Sequence, residues 1–354
     1  METKRIDFVD LAKGICILLV VISHIEMNYH TVTEFSNLAR CFRMPLYFIL
    51  SGLFFKDYGG FRYFFVKKTN RLAIPWAFFY IANILLFPFF LHWVFPSLYK
   101  HPIVGAGYLF CFIVEKSNLM PNAIWFLLCL FILNLMFYVL FIISKRLTAY
   151  LTRDKDSSSS FIAALIILSI ILGCIGYYLG INHINIYMYF DSALTVVPFF
   201  CFGFVLRKYT NVLYPNKYDK YNFLFITISI LIIYLLGGHL SYIENTFEIS
   251  IFSLYLSGIL GSVSILFIAK YIKRMPIVSY IGRYSIITLC THQPIIVIMN
   301  VFFKILDVNI SSIVQLIISF IVIVILEVYV IVPFMIKFMP HVTAQKDILK
   351  IAQA

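Results

Sequence analysis

The chain is poor in charge. Asp, Glu, Lys and Arg supply 12% of its 354 residues, about half the share usual in a soluble domain. It also lacks any long polar segment, so nothing in it is expected to fold as a separate aqueous domain. The longest polar stretches, 145–160 with its RDKDSSSS and 207–220, read as solvated linkers. The seven cysteines, at 16, 41, 111, 129, 174, 201 and 290, form no C-x-x-C pair and mostly lie in apolar runs. A disulfide or metal framework is therefore not expected, and buried thiols can serve as small apolar groups. SGLFFKDYGG, residues 51–60, lacks a following Gly-Lys-Ser/Thr, so its glycines suit turns and not a phosphate loop. No internal repeat is evident, which argues against a transporter built from inverted halves. The first apolar stretch is too long for a signal peptide and lacks a small-residue cleavage site, so it is expected to be retained as helix 1.

What the sequence has is hydrophobicity: 62% apolar residues and a mean hydropathy of +0.94. Runs near the roughly 20 residues that cross a bilayer fall at 9–29, 37–55, 72–95, 122–143, 161–180, 188–206, 221–238, 248–270, 281–303 and 311–338. The expected fold class is an all-α, polytopic membrane protein of about ten helices. The run from Ile103 to Val114 is too short to span and suits a re-entrant or interfacial piece. With the N-terminus inside, 23 of the 28 Lys and Arg fall in cytoplasmic segments, as the positive-inside bias requires. Both termini are then cytoplasmic. The formal charge of +12 follows from that topology and from anionic headgroups, so nucleic acid is not an expected partner. One transmembrane domain over 1–340 and a short tail over 341–354 complete the expected organisation.

Lys13 and His24 sit in the first run, in KGICILLVVISHI. Eleven residues at about 100° each make three turns plus roughly 20°, and at about 1.5 Å each they span about 16 Å. The two share a face, with Ile17 and Val20 between them and Asn28 a turn beyond. An ionisable residue within a span is a functional candidate because burying it is costly; the bland alternative is a packing histidine satisfied by a carbonyl or hydroxyl. Glu26, about 200° round the helix from His24, is expected at the outer interface. Lys68 and Arg71, in FVKKTNRLAIPW, are three apart and share a face. With Lys13, Lys67 and Arg283 they can form a cationic mouth suited to phosphates, or they only obey the positive-inside rule. His292 lies deep in a span beside Pro294, as a positioning or a packing residue. The remaining histidines fall in loops or at helix ends, with no trusted metal-ligand spacing.

These motifs together resemble the acyltransferase family 3 membrane proteins. RIDFVDLAKGICILLVVISHI is similar to that family's helix 1 signature, a basic residue and Gly leading through an apolar run to histidine. FRMPLYFILSGLFF (42–55) resembles its second helix, KKTNRLAIPW its basic-x-x-Arg motif and IWFLLCLF (124–131) its Trp-Phe-Leu helix. PFFCFGFVL (198–206) is similar to its sixth helix, and YIGRYSIITLCTHQPII (280–296) to its Gly-x-x-Ser-to-His segment. The wording around Lys13 looks most like the fucose 4-O-acetylase-like, polysaccharide O-acyltransferase branch. The family usually has Arg where Lys13 stands and often where Lys68 stands; lysine keeps the charge but loses the bidentate fork.

The resemblance implies a membrane-bound O-acyltransferase. It would move an acyl group, usually acetyl, from acetyl-CoA as donor substrate to a sugar hydroxyl of a surface polysaccharide or its lipid-linked precursor. No permanently bound cofactor and no metal is implied; the partners are acyl-CoA, a glycan acceptor and cell-membrane lipid. His24 would be the catalytic residue, as general base or as an acyl-carrying nucleophile. Lys13, Lys68 and Arg71 would hold CoA phosphates, while Arg43, Ser51 and Trp125 are candidate donors to a developing oxyanion, with packing as their alternative. The competing readings are a polysaccharide exporter or small-molecule transporter and a non-catalytic membrane partner in glycan assembly.

Overall fold

The computed structural model describes residues 6–94, 123–152, 158–210, 212–214, 222–306 and 310–350. About 81% of the described residues are helical, and the chain is an all-α polytopic membrane protein. Helix α1 runs Asp7–Asn28 and α2 runs Glu34–Leu53. Three eight-residue helices follow, α3 (Phe61–Lys68), α4 (Ile74–Ile81) and α5 (Phe87–Val94), joined by π-type turns at Thr69–Ala73 and Ala82–Leu86. Then come α6 (Trp125–Thr152), α7 (Ser158–Ile181), α8 (Phe190–Tyr209) and α9 (Asn222–Leu236). A two-residue antiparallel pair, Leu240–Ser241 with Thr246–Phe247, leads to α10 (Ile251–Ile272). The chain closes with α11 (Pro276–Arg283), α12 (Ser285–Leu306) and α13 (Ser312–Leu326), which continues through a π-type turn at Glu327–Ile331 into α14 (Val332–Phe338).

Among the described residues, seven helical stretches are long and apolar enough to cross a membrane: Asp7–Asn28, Trp125–Leu151, Ser158–Ile181, Tyr187–Tyr209, Ile251–Ile272, Ser285–Leu306 and Ser312–Phe338. Three expected spans are helical but fall outside that set: α2, which carries Glu34, Arg40 and Arg43, the helices over 72–94, and α9, which has only 15 residues. The span expected over 281–303 begins at Ser285, because Ile281 to Arg283 belong to α11. The run from Ile103 to Val114 lies outside the described residues.

Small residues set the closest crossings. A Cβ on Gly52 would collide with the carbonyl of Phe200, and one on Gly203 with that of Ile49, so α2 and α8 meet backbone to backbone. Gly14 and Gly282 do the same for α1 and α11, against Val278 and Asp10. Aromatic packing fills the space between: Phe55 touches Phe64, Phe137, Phe141, Phe200 and Phe204 with ring centroids 5.0 to 6.0 Å apart. A second apolar cluster, with Val21, Ile25, Ile296, Met299 and Ile323, locks the far half of α1 to α12 and α13. Reciprocal Asn28–Asn300 hydrogen bonds of 2.7 and 2.8 Å fix its register.

Proline within α12 matters to the site. Pro294 has no N–H to give the Cys290 carbonyl, and Asn83 Nδ2 on the neighbouring π-type turn supplies that donor at 2.7 Å. In a lipid environment such a carbonyl must find a partner within the protein. The kink position and the Asn83 segment are thereby tied together.

Candidate active site

A cavity of about 460 Å³ opens among α1, α2, α3, α6 and α12, toward the end of the bundle that carries the N-terminus. Its lining includes Lys13, Lys56, Lys67, Lys68 and Arg71, together with Tyr47, Ser51, Phe126 and Ser285. The π-type turn between α3 and α4 is what presents the basic motif here: it buries Asn70 while leaving Arg71 exposed. Lys68 lies at the end of α3, before the apolar stretch that begins at Leu72. Burial, and secondarily the charge of Arg71, push its ammonium down to about 8. Arg283 is not part of this lining; its guanidinium sits 5.3 Å over the Tyr284 ring.

Ile17 and Val20 continue the cavity wall from Lys13 up α1. His24 stands one turn beyond Val20, partly exposed, so the stripe read from the sequence is a continuous face of the helix. The facing wall is α2, on which Arg43, Tyr47 and Ser51 follow at intervals of four and run the opposite way. Tyr47 Oη donates to the Lys13 carbonyl at 2.8 Å, which ties the two walls at the basic end. Arg43 lies near enough for its charge to act on both His24 and Glu26.

The deep end of the face holds two histidines. The rings of His24 and His292 have centroids 5.2 Å apart at an interplanar angle of 42°. His292 is fully buried, and its Nδ1–H donates to the Thr288 carbonyl at 2.8 Å, so Nε2 is the unprotonated nitrogen and has no hydrogen-bond partner. Gln293 places its Nε2 3.3 Å from His24 Nδ1. A half-turn of that amide presents Oε1 instead, and His24 Nδ1–H then donates to it, leaving His24 Nε2 as the basic nitrogen. Beneath the pair, buried Glu327 in the last π-type turn accepts hydrogen bonds from Thr288, at 3.1 Å, and Thr291.

Of the residues selected from sequence, Lys13, Lys68, Arg71 and Ser51 converge on the basic cavity, whereas His24, His292 and Arg43 lie outside its lining, with the His24 ring against that of His292. Ser51 lies within 3.4 Å of Asn134 Nδ2. Trp125 stands apart from both groups, buried against the rings of Phe126 and Tyr189 at 6.2 and 5.6 Å. Glu26 is not at an open interface: it is 2% exposed and accepts from Thr33 Oγ1 at 2.7 Å, because the α1–α2 turn folds over it. Tyr47, Gln293 and Glu327 escaped the sequence reading. Gln293 adjoins His292 and could have been found there; Tyr47 and Glu327 look like ordinary residues of apolar helices until their partners are seen.

The family model described as an acyltransferase domain, acyltransferase family 3, matches residues 6–332, nearly the whole chain. No curated protein and no solved structure matches it. The chain belongs to that family, and it is a multi-pass membrane acyltransferase.

Proposed function

We propose that the protein transfers an acyl group, acetyl in the simplest case, from cytoplasmic acyl-CoA to a sugar hydroxyl of a surface polysaccharide or its lipid-linked precursor. It belongs, on this reading, to the polysaccharide O-acyltransferase branch of its family. The observation that carries the proposal is one cavity lined by five cations and by Ile17 and Val20 of α1, on the helix face that carries His24 one turn beyond the lining. Ten spans, with both termini and the basic mouth in the cytoplasm, satisfy the distribution of Lys and Arg. CoA phosphates rest among Lys13, Lys67, Lys68 and Arg71, the pantetheine arm lies along Ile17 and Val20, and the thioester reaches His24.

His24 then acts as general base. With the Gln293 amide turned so that Oε1 replaces Nε2 beside His24, Oε1 holds Nδ1–H, and His24 Nε2 takes the proton of the sugar hydroxyl as that oxygen attacks the thioester carbonyl. The tetrahedral intermediate collapses with cleavage of the carbon–sulfur bond, and the departing thiolate takes the proton back from the imidazolium. Arg43 is the nearest fixed cation for the developing oxyanion. His292, with its bare Nε2, is suited to accept a hydrogen bond from the incoming acceptor.

The test is transfer of label from acetyl-CoA, labelled in the acetyl group, to a surface-glycan extract by the purified protein in lipid. Label in the glycan with stoichiometric CoA release supports the reading; CoA-independent movement of glycan across the vesicle would favour an exporter. A pH dependence follows from Lys68. Below about 8 its ammonium is charged and helps hold the donor phosphates; as pH rises through 8 that charge is lost and donor KM is expected to climb severalfold. Lys68→Arg keeps the charge at high pH and should flatten the profile between pH 7 and 9.

A further inference from the structure

The chain past α14 does not trail away from the bundle. Thr343 is buried and its Oγ1 donates to the Met339 carbonyl at 3.0 Å, while the backbone N–H groups of Gln345 and Lys346 both reach the Pro340 carbonyl at 2.9 Å. This compact turn brings residues 347–349 onto the basic turn between α3 and α4. Asn70, 1% exposed, takes the Ile348 and Leu349 N–H groups on its Oδ1 at 2.9 Å each and returns Nδ2 to the Leu349 carbonyl at 2.9 Å. A buried amide whose partners come from one strand of chain specifies that strand, since its loss leaves polar atoms buried and unsatisfied. The clasp delivers Asp347 to Lys67, and the two form an ion pair.

Lys67 also lines the basic cavity. We propose that Asp347 is a built-in counter-ion for that cavity, clasped in place through Asn70, which a phosphate group of the entering ligand displaces from Lys67. The inference rests on the reading of the cavity as the donor site, and it adds a device that reading lacks. The clasp and the ion pair differ in how easily they give way. The Asn70 bonds are buried, whereas the side chains of Lys67 and Asp347 are 40% and 35% exposed, so the carboxylate can swing off without unfolding the segment. A phosphate brings more negative charge and more acceptor oxygens to the same ammonium. Displacement leaves Lys67 engaged and releases one carboxylate to solvent, so cations of the cavity mouth need not face one another uncompensated while it is empty.

The probe is inorganic pyrophosphate, titrated by calorimetry onto the full-length protein in phosphatidylcholine nanodiscs, which present no net anionic headgroup. Asp347→Asn keeps the clasp and removes the competing charge. It is expected to tighten pyrophosphate binding by about two- to fivefold, the range of an exposed ion pair, and the difference should shrink at high salt. In a Lys67→Gln background the same substitution should have no effect, because the pair is already broken. Unchanged or weaker binding by Asp347→Asn, or equal tightening without Lys67, overturns the proposal. Because pyrophosphate reports binding alone, tightening by Asp347→Asn in a protein that transfers no acetyl would sustain the counter-ion while removing the donor reading.

Discussion

His24→Ala is expected to lower acyl transfer by about two to four orders of magnitude, the range that a positioned general base contributes, while leaving the protein folded. The substitution removes the nitrogen that takes the acceptor proton, yet little else depends on that side chain. The far half of α1 stays anchored by Val21, Ile25 and the Asn28–Asn300 pair, none of which involves the imidazole. Donor affinity should also persist, because the cations lie at the other end of the face. The expected signature is therefore a collapsed kcat with donor KM nearly unchanged. Acyl transfer by the mutant at the wild-type kcat would leave His24 without a role in the chemistry.

The second large effect is on folding. Gly14→Val is expected to destabilise the protein by at least about 3 kcal/mol, the upper part of the range for overpacking, or to prevent its accumulation. A Cβ at Gly14 meets the Val278 backbone carbonyl and not a flexible side chain. Relief requires α1 and α11 to separate, and Gly282 faces the same crossing from the other side, against Asp10. That crossing positions Lys13 one residue away, so partial separation would also widen the mouth of the cavity. Folded yield and the thermal unfolding midpoint in detergent measure the first consequence; Ala at Ile15, a neighbouring position, serves as a control for substitution in the same turn.

Much of this architecture was legible because membrane helices advertise themselves in composition. Seven spanning helices lie within runs that hydropathy marks, to within a few residues at most ends. The exceptions differ in cause: α2 carries Arg40 and Arg43 within its run, α9 stops at 15 residues, and elsewhere hydropathy does not register backbone irregularity. Nothing in TNRLA or ANILL signals a π-type turn, and both turns are set by tertiary contacts, Asn70 to the C-terminal segment and Asn83 to the carbonyl freed by Pro294. The α11–α12 break at Tyr284 is similar, since α11 ends where it lies on α1 through Gly282.

The helix 1 face was readable because periodicity within one helix is a local property. Lys13, Ile17, Val20 and His24 follow from 3.6 residues per turn alone. Which other helices would face it was not, because that requires pairing residues hundreds apart, as His24 with His292 or Tyr47 with Lys13. The tail shows the limit most clearly. Residues 341–354 read as a short cytoplasmic tail, and no local pattern foretells that Asp347, Ile348 and Leu349 are held by a single buried asparagine in the turn after α3.

The most direct test of the account is sidedness. Purified protein is reconstituted into sealed vesicles in one known orientation, with glycan acceptor present on both sides and labelled acetyl-CoA supplied on one side at a time. The account predicts transfer only when acetyl-CoA is on the side of Lys13, Lys68 and Arg71, with label appearing in acceptor on the opposite side. Transfer supported from the other face, or label confined to the side of the donor, would contradict it.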